Sequence, residues 1–128
     1  MTAGKFTLEV LTGTYAVCRL DADADVPDWV SGAVTSVTRA PGELSIICSQ
    51  DVVPSDVTSE SGWSCLRVVG PLDFSLVGVI ASLTAVLAMA NLSVFVVSTF
   101  DTDCLLVKQA ELETAVNSLT AAGHVVSA

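Results

Sequence analysis

Residues 63–107 decide the fold of this chain, and they read WSCLRVVGPLDFSLVGVIASLTAVLAMANLSVFVVSTFDTDCLLV. No charged residue occurs between Asp73 and Asp101. A stretch this long and this apolar is either a membrane span or the helix and strands of a tightly packed α/β core. The spacing of its apolar residues distinguishes these alternatives.

The first part of the stretch has the apolar spacing of a helix. Large apolar residues recur along one helix face, at Leu76, Val79, Ile80, Leu83, Val86, Leu87 and Ala90. After Asn91, a β-branched run over 92–99 predicts a strand, which is bounded by a turn at 101–103. The predicted helix, 75–90, is shorter than the roughly 20 residues that cross a bilayer, and no Lys or Arg flanks it closely. We therefore favour a packed core and expect no contact with a membrane.

The composition limits the classes of function. The 128 residues can form one compact domain or two very small ones. Hydrophobic residues make up 52% of the chain and charged residues 15%, so we expect a second subunit to cover apolar surface, as in a homodimer. The net charge is -9, and the five Lys and Arg residues are spread singly along the chain. This pattern disfavours nucleic acids and anionic lipid surfaces as partners.

The N-terminus and the cysteines both favour the cytoplasm. Residues 1–10, MTAGKFTLEV, have neither an apolar core of signal-peptide length nor a transit-peptide composition. The four cysteines each lie in an apolar strand-like run, without a C-x-x-C pair or a histidine at ligand spacing. We interpret them as buried, reduced thiols rather than as a disulfide framework or a zinc site. A cytoplasmic protein is expected.

The first 62 residues predict a small, β-rich half. It should contain two β-hairpins, over residues 6–10 with 15–20 and 34–38 with 43–48, and two short helical turns, at 27–30 and 51–54. Residues 55–62, SDVTSESG, are polar and small. A linker is therefore expected there, with a domain boundary between residues 1–62 and 63–128.

The second half predicts the order βαββαβ. Its strands are expected over 65–69, 92–99, 103–108 and 124–126, and its helices over 75–90 and 111–119. Two helices on one face of a four-stranded antiparallel sheet form the ferredoxin-like α+β fold. A shift of sixty residues aligns 34–51 with 94–111 without a gap, which suggests that the first half is an abbreviated copy without the long helix.

No catalytic constellation is recognisable in the sequence. His124 is the sole histidine, and no serine or cysteine has the sequence context of a nucleophile. Phosphate-binding and dinucleotide-binding glycine motifs are absent, so no cofactor is expected. Alternating aspartates over 21–25 resemble the start of a calcium loop, but Val26 and Gly32 occupy the positions that need glycine and glutamate. We expect a solvated acidic turn there, no metal and no enzyme.

A loop and a hairpin in the second half combine into a candidate binding site. The loop 70–75 connects a strand end to a predicted helix start, where free N–H groups and the helix dipole attract a carboxylate. The ferredoxin-like order predicts that the strand beginning at Leu92 pairs beside the first strand, which brings residues 98–101 near this loop. Carboxylates there suit an ammonium group, so the combination suits a free amino acid.

Each part of that site has a simpler alternative. Asp73 or Ser75 could merely cap the predicted helix. Asp101 and Asp103 could be two exposed residues of a hairpin turn, and residue chemistry alone favours this interpretation.

Three segments carry a resemblance to a known family. GPLDFSLVGVIASLTAVLAMANLSVFVVSTFDTDCLLV, together with TYAVCRL and ELSIICSQDVVP upstream, is similar to the stand-alone ACT-domain proteins related to the aspartokinase regulatory region and to the cytosolic arginine sensor of animals. The resemblance covers nearly the whole chain, and the segments G-P-L-D-F and S-T-F-D-T-D are its most specific parts. It implies ACT units that pair side by side and bind small effectors, usually amino acids, where units meet. Phe100 and Cys104 stand where tyrosine is expected to be common, which would alter polar contacts with a ligand.

The resemblance also transfers a set of candidate effector-binding residues to this chain. They are Gly70, Pro71, Leu72, Asp73, Phe74, Ser75, Ser98, Thr99, Phe100, Asp101, Thr102 and Asp103. The sequence thus predicts a non-enzymatic regulatory module that binds an amino acid, with no attached catalytic domain and therefore a separate regulated protein. The alternative is a structural or protein-interaction module whose ligand site is vestigial.

Overall fold

The computed structural model describes residues 4–128. The helices and strands are β1 (Thr7–Val10), β2 (Tyr15–Leu20), β3 (Ser36–Ala40), β4 (Glu43–Ser49), β5 (Thr58–Val68), α1 (Val79–Met89), β6 (Phe95–Ser98), β7 (Asp103–Lys108), α2 (Leu112–Ala121) and β8 (Val125–Ser127). They form two compact units: a larger unit of residues 4–11 with 64–128, and a smaller unit of residues 12–63. Strand β5 contributes residues to both units.

The larger unit is a sheet with two helices packed on it. The described strands follow the order β6, β7, β5, β1, β8. The buried core joins alternate strand residues to one face of each helix, and contains Leu8, Leu66, Val68, Val79, Leu83, Leu87, Leu105, Val107, Ala115 and Leu119. The predicted α+β, ferredoxin-like fold is confirmed, and β7 has the predicted bounds.

Strand β1 does not form the predicted hairpin with β2. It lies between β5, to which it is antiparallel, and β8, to which it is parallel, with Leu8 opposite Val68 on one side and Val126 on the other. Leu8 is fully buried in the core of the larger unit. The alternation of residues 6–10 was interpreted correctly as a strand, but alternation identifies the buried face and says nothing about the partner.

The order of the sheet also corrects two expectations. The sheet of the larger unit has five described strands rather than four, because β1 stands between β5 and the last strand. Strand β6 pairs with β7, and β7 is the neighbour of β5, so the strand after Leu92 is not adjacent to the first strand of the βαββαβ order. The hairpin between β6 and β7 still lies near the loop after β5, because β7 pairs with β5.

The smaller unit is a β-sheet in the order β3, β4, β2 and the first part of β5. Its core contains Ala16, Cys18, Leu44, Ile46 and Cys48. The predicted second hairpin is confirmed, with Ala40 opposite Glu43 across the turn. The predicted helical turn at 27–30 is wrong, since that segment has only a non-helical turn at 28–29. The helical turn predicted at 51–54 is confirmed as a short 3-10 helix, Gln50–Val52.

The predicted linker 55–62 is also wrong in its second half. Residues from Thr58 onward belong to β5, where Thr58 and Ser59 stand opposite Arg19 and Cys18 of β2. Backbone hydrogen bonds hold this exposed, polar part of the strand, and they need no apolar side chains. Residues 4–11 of the predicted first half pack in the larger unit. Its interpretation as an abbreviated ACT-like copy stays a prediction.

Two further features of the described residues are the lengths of their helices and the state of their cysteines. No helix within residues 4–128 has the length and apolar character of a membrane span. All four cysteines are buried, with free thiols. Burial, together with the neighbouring Cys48, raises the pKa of the Cys18 thiol to about 11. Such a thiol stays protonated at neutral pH and is unreactive.

Candidate functional site

Asp73 folds the loop that follows β5. The backbone N–H and the hydroxyl of Ser75 both donate to Asp73 Oδ1, each at 2.8 Å. The N–H of Leu76 donates to the carbonyl oxygen of Asp73 at 3.0 Å. These bonds from Ser75, the backbone one first, hold the pKa of the exposed Asp73 carboxyl below its usual value. Asp73 therefore closes a turn within the loop.

Helix α1 begins later than its apolar spacing predicts. Its first residue is Val79, and the preceding Gly78 has a left-handed backbone with φ of +84°. The predicted start at residue 75 and the predicted cap by Asp73 or Ser75 are both wrong, because the αL residue interrupts the helical path and no side chain caps the helix. The N–H groups of the first helical turn consequently have no partner within the helix.

The hairpin between β6 and β7 is held by its two threonines. The N–H of Thr99 donates to the carbonyl oxygen of Thr102 at 2.8 Å, and Thr99 Oγ1 donates to the same oxygen at 3.0 Å. The hydroxyl of Thr102 donates to the carbonyl oxygen of Val68 in β5 at 2.6 Å. The turn residues are thus Phe100 and Asp101, and Asp103 already belongs to β7.

The loop and the hairpin are in direct contact, as predicted. The N–H of Leu72 donates to the carbonyl oxygen of Asp101 at 2.6 Å. Gly70 allows this approach, because a Cβ atom on it would lie 3.0 Å from the carbonyl oxygen of Asp101 and 3.2 Å from Thr102 Cβ. The N–H of Leu72 is therefore occupied by its bond to Asp101, and the N–H of Ser75 is occupied by its bond to Asp73. Neither backbone donor is left for an anion.

A cavity of about 420 Å³ lies between the loop, the start of α1 and the hairpin. Its lining residues are Leu72, Asp73, Phe74, Leu76, Gly78, Val79, Ile80, Ala81, Ser98, Thr99, Phe100, Asp101, Thr102 and Asp103. Of the predicted site residues, all but Gly70, Pro71 and Ser75 line it. The sequence interpretation missed the contribution of 78–81, for which a glycine before the apolar helix face was the available signal.

Asp103 is a buried acid in this cavity. Its residue is 9% exposed, so the interpretation of it as an exposed turn residue is wrong, whereas Asp101 does lie exposed in the turn. Asp103 stands opposite Ser98 and two residues before the core residue Leu105, so strand alternation directs it toward the helix side of the sheet. Within residues 4–128, its carboxylate has no hydrogen-bond or ion-pair partner, and its oxygens remain accessible to solvent.

Two phenylalanines form the rim of the cavity. Phe74 on the loop and Phe100 on the hairpin meet edge to face, with ring centroids 4.9 Å apart and an interplanar angle of 85°. The two residues are 75% and 80% exposed. Large apolar side chains that remain this exposed beside a cavity are typical of a surface that binds a ligand or another protein.

The βαββαβ order and the packed sheet define a ferredoxin-like α+β domain with a cavity at the start of its first helix. A family model of the ACT domain matches residues 58–121, which is half of the chain, so the chain belongs to the ACT domain family. A second family model, of an N-terminal domain, matches residues 13–56.

Two relatives illustrate this membership. The chain is 30% identical over 120 residues to the cytosolic arginine sensor for mTORC1 subunit 1 of Rattus norvegicus. That match covers 88% of this chain and 36% of the sensor, so the chain spans about a third of the curated relatives it matches. A crystal structure from Agrobacterium tumefaciens is similar at a TM-score of 0.91 and 40% identity, covering 97% of this chain and 93% of the other.

More distant solved structures share the fold alone. The regulatory subunit of aspartate kinase from Thermus thermophilus, in its ligand-free form, aligns with a TM-score of 0.58 at 11% identity, covering 91% of this chain and 96% of that one. An aspartate kinase from Clostridium acetobutylicum aligns with a TM-score of 0.63 at 12% identity, covering 87% of this chain and 33% of the kinase.

Proposed function

We propose that this ACT protein is a non-enzymatic regulatory module that binds a free amino acid in the cavity at the start of α1. The carboxylate of Asp103, which lines the cavity without a partner among the described residues, is the observation that carries the proposal. A carboxylate that lines a cavity and makes no bond within the protein keeps its acceptor oxygens available to a ligand. The ammonium group of an amino acid would supply the missing donors.

The start of α1 supplies the complementary half of the site. Its first turn lines the same cavity, and no side chain caps it. Unpaired N–H groups and the helix dipole favour an anion at such a helix end. A ligand that carries both an ammonium and a carboxylate can therefore satisfy both sides of the cavity at once. The volume of about 420 Å³ lies within the range of small-molecule sites.

The proposal includes a homodimer in which ACT units meet near the effector. Among the described strands of the larger unit, β6 pairs only with β7, and β8 pairs only with β1, so both have an open edge. Pairing with a second copy would cover such an edge. A cytoplasmic location and a separate regulated protein complete the proposal, and they are supported by the relative that is named as a cytosolic sensor for mTORC1.

A thermal-shift screen against the twenty amino acids, followed by calorimetry, tests the proposed function. A ligand that binds only the folded chain adds RT ln(1 + [L]/Kd) to its stability, so the melting temperature should rise with ligand concentration. The expected result is a concentration-dependent rise with at least one amino acid. No rise with any of them at millimolar concentration would contradict the proposal.

The exposed rim favours one alternative, a structural or protein-interaction module with a vestigial ligand site. Phe74, Val77 and Phe100 are all more than half exposed, which also suits docking to another protein. This alternative predicts no response to any amino acid, together with a stable complex in which substitution of these residues abolishes binding.

A further inference from the structure

We infer that Phe74 and Phe100 determine the specificity of the cavity, and that its ligand is an α-amino acid with a large apolar side chain. This conclusion depends on the proposed function and goes beyond it, because it names the ligand class and the residues that select it. It follows from a comparison between the polar lining groups that already form hydrogen bonds within the protein and the apolar lining residues that remain uncovered.

Most polar groups around the cavity are committed to the protein itself. The Asp73 carboxylate accepts two bonds from Ser75. The hydroxyls of Thr99 and Thr102 both donate to backbone carbonyls, the first within the hairpin and the second across to β5. A polar ligand side chain would have to displace these bonds. The Asp103 carboxylate has no partner among the described residues, and the proposed function uses it for the ammonium group.

The remaining wall is mainly apolar, with Ser98 and the exposed Asp101 as its polar members on the hairpin. Leu72 and Leu76 line the cavity beside the two rim rings, and both pack partly against the hydrophobic core. Such a surface gains free energy by covering apolar atoms and offers no compensation for a buried charge. The side chain of a bound amino acid, pointing away from Asp103 and the start of α1, would meet this wall.

The two rings are placed to cover that side chain. They come from opposite borders of the cavity, and their edge-to-face contact joins the loop to the hairpin at the rim. The bond from Leu72 to the carbonyl oxygen of Asp101 holds the backbone beneath them, so the rings are presented on a fixed base. At 75% and 80% exposure, most of their surface is uncovered by the protein and is available to a ligand.

Calorimetry with three groups of L-amino acids tests this inference. The first group is leucine, isoleucine, methionine and phenylalanine; the second is alanine; the third is arginine, lysine and glutamate. Wild type should bind the tightest member of the first group at least about tenfold more tightly than alanine and than any member of the third group. The same panel is then measured with the double variant Phe74→Ser/Phe100→Ser.

The double variant should lose discrimination rather than binding as such. The ratio of Kd values for alanine and the preferred amino acid should fall by about tenfold, while the Kd for alanine stays as in wild type. Phe74→Leu/Phe100→Leu retains an apolar rim and should restore most of the discrimination. Met89→Ser is the matched control, because Met89 is 91% exposed and does not line the cavity.

The outcomes separate this inference from the proposed function. No binding of any amino acid contradicts both. Preferred binding of a charged amino acid, or binding whose discrimination is unchanged in the double variant, contradicts the inference alone. If the double variant instead changes the dimer mass in sedimentation and leaves discrimination intact, the rim is a subunit contact and the inference is wrong.

Discussion

The loop 70–78 and the hairpin 98–103 border one cavity, yet they use their acids in opposite ways. In the loop, the carboxylate of Asp73 is exposed and accepts two hydrogen bonds from Ser75. In the hairpin, Asp103 is a buried residue whose carboxylate has no partner among the described residues. Asp73 therefore stabilises the loop, whereas the carboxylate of Asp103 is available to a ligand.

The largest expected effect belongs to Asp103. Asp103→Asn should weaken amino-acid binding by about 1.5–3 kcal/mol, roughly ten- to a hundredfold, because a charge-assisted bond to the ammonium is lost. Stability of the free protein should stay near that of wild type, because the carboxylate makes no bond within the described residues that asparagine would lose. Calorimetry and thermal unfolding measure the two quantities, and Glu113→Gln on α2 is the control for removal of an acid outside the cavity. If Asp103→Asn reduces stability and leaves binding intact, Asp103 stabilises the fold and does not bind the ligand.

The next effect concerns the contact between the two regions. Gly70→Ala places a Cβ atom 3.0 Å from the carbonyl oxygen of Asp101, closer than side chains normally approach. The loop and the hairpin must move apart, and we expect a loss of about 1–3 kcal/mol in the free energy of unfolding, measured by urea denaturation.

Gly4→Ala is the matched control for this change, because nothing lies within 4 Å of a Cβ atom at that position. It should leave stability unchanged. If Gly70→Ala behaves like Gly4→Ala, the loop and the hairpin are not held together as described.

A smaller effect is expected at Asp73. Asp73→Asn keeps an oxygen that accepts from Ser75, so binding and stability should both stay near wild type, whereas Asp73→Ala should loosen the loop. Hydrogen exchange of the Ser75 amide measures this loosening. A strong loss of affinity in Asp73→Asn would show that Asp73, and not Asp103 alone, contacts the ligand.

The smallest effect is the response to acid. The pKa of Asp73 is lowered in the folded protein, so its bonds to Ser75 stabilise the fold above the usual pKa of 3.8 and are lost as the pH falls below the lowered value. An NMR titration should show the Ser75 amide shifting below pH 3.8. The shift should disappear in Asp73→Asn, and its persistence there would assign it to another acid.

The sequence predicts the elements well where the side-chain pattern itself decides the structure. The apolar spacing of 76–90 identifies α1, because it reports which helix face is buried. The continuous apolar run before Lys108 identifies β7, a strand that is buried on both faces. The start of α1 was missed because it depends on the backbone conformation at Gly78 rather than on apolar spacing. Strand β5 was missed over 58–62 because polar residues pair through their backbones alone.

The candidate site was predictable in location but not in detail. The loop and the hairpin meet because both follow strands at one end of the sheet, which the βαββαβ order implies. Whether an acid is exposed or buried depends on the turn length: two turn residues, Phe100 and Asp101, leave Asp103 in the strand. The letters D-T-D are compatible with either arrangement, so Asp103 could not be separated from Asp101 by sequence alone.

NMR chemical-shift mapping tests the central claim most directly. The labelled protein is titrated with the amino acid that raises its melting temperature most, and the backbone amides and the side-chain carboxyl carbons of the aspartates are followed. The account predicts the largest shifts at the amides of residues 79–81 and at the carboxyl carbon of Asp103. Saturable binding that leaves these signals unchanged and shifts another surface would contradict it.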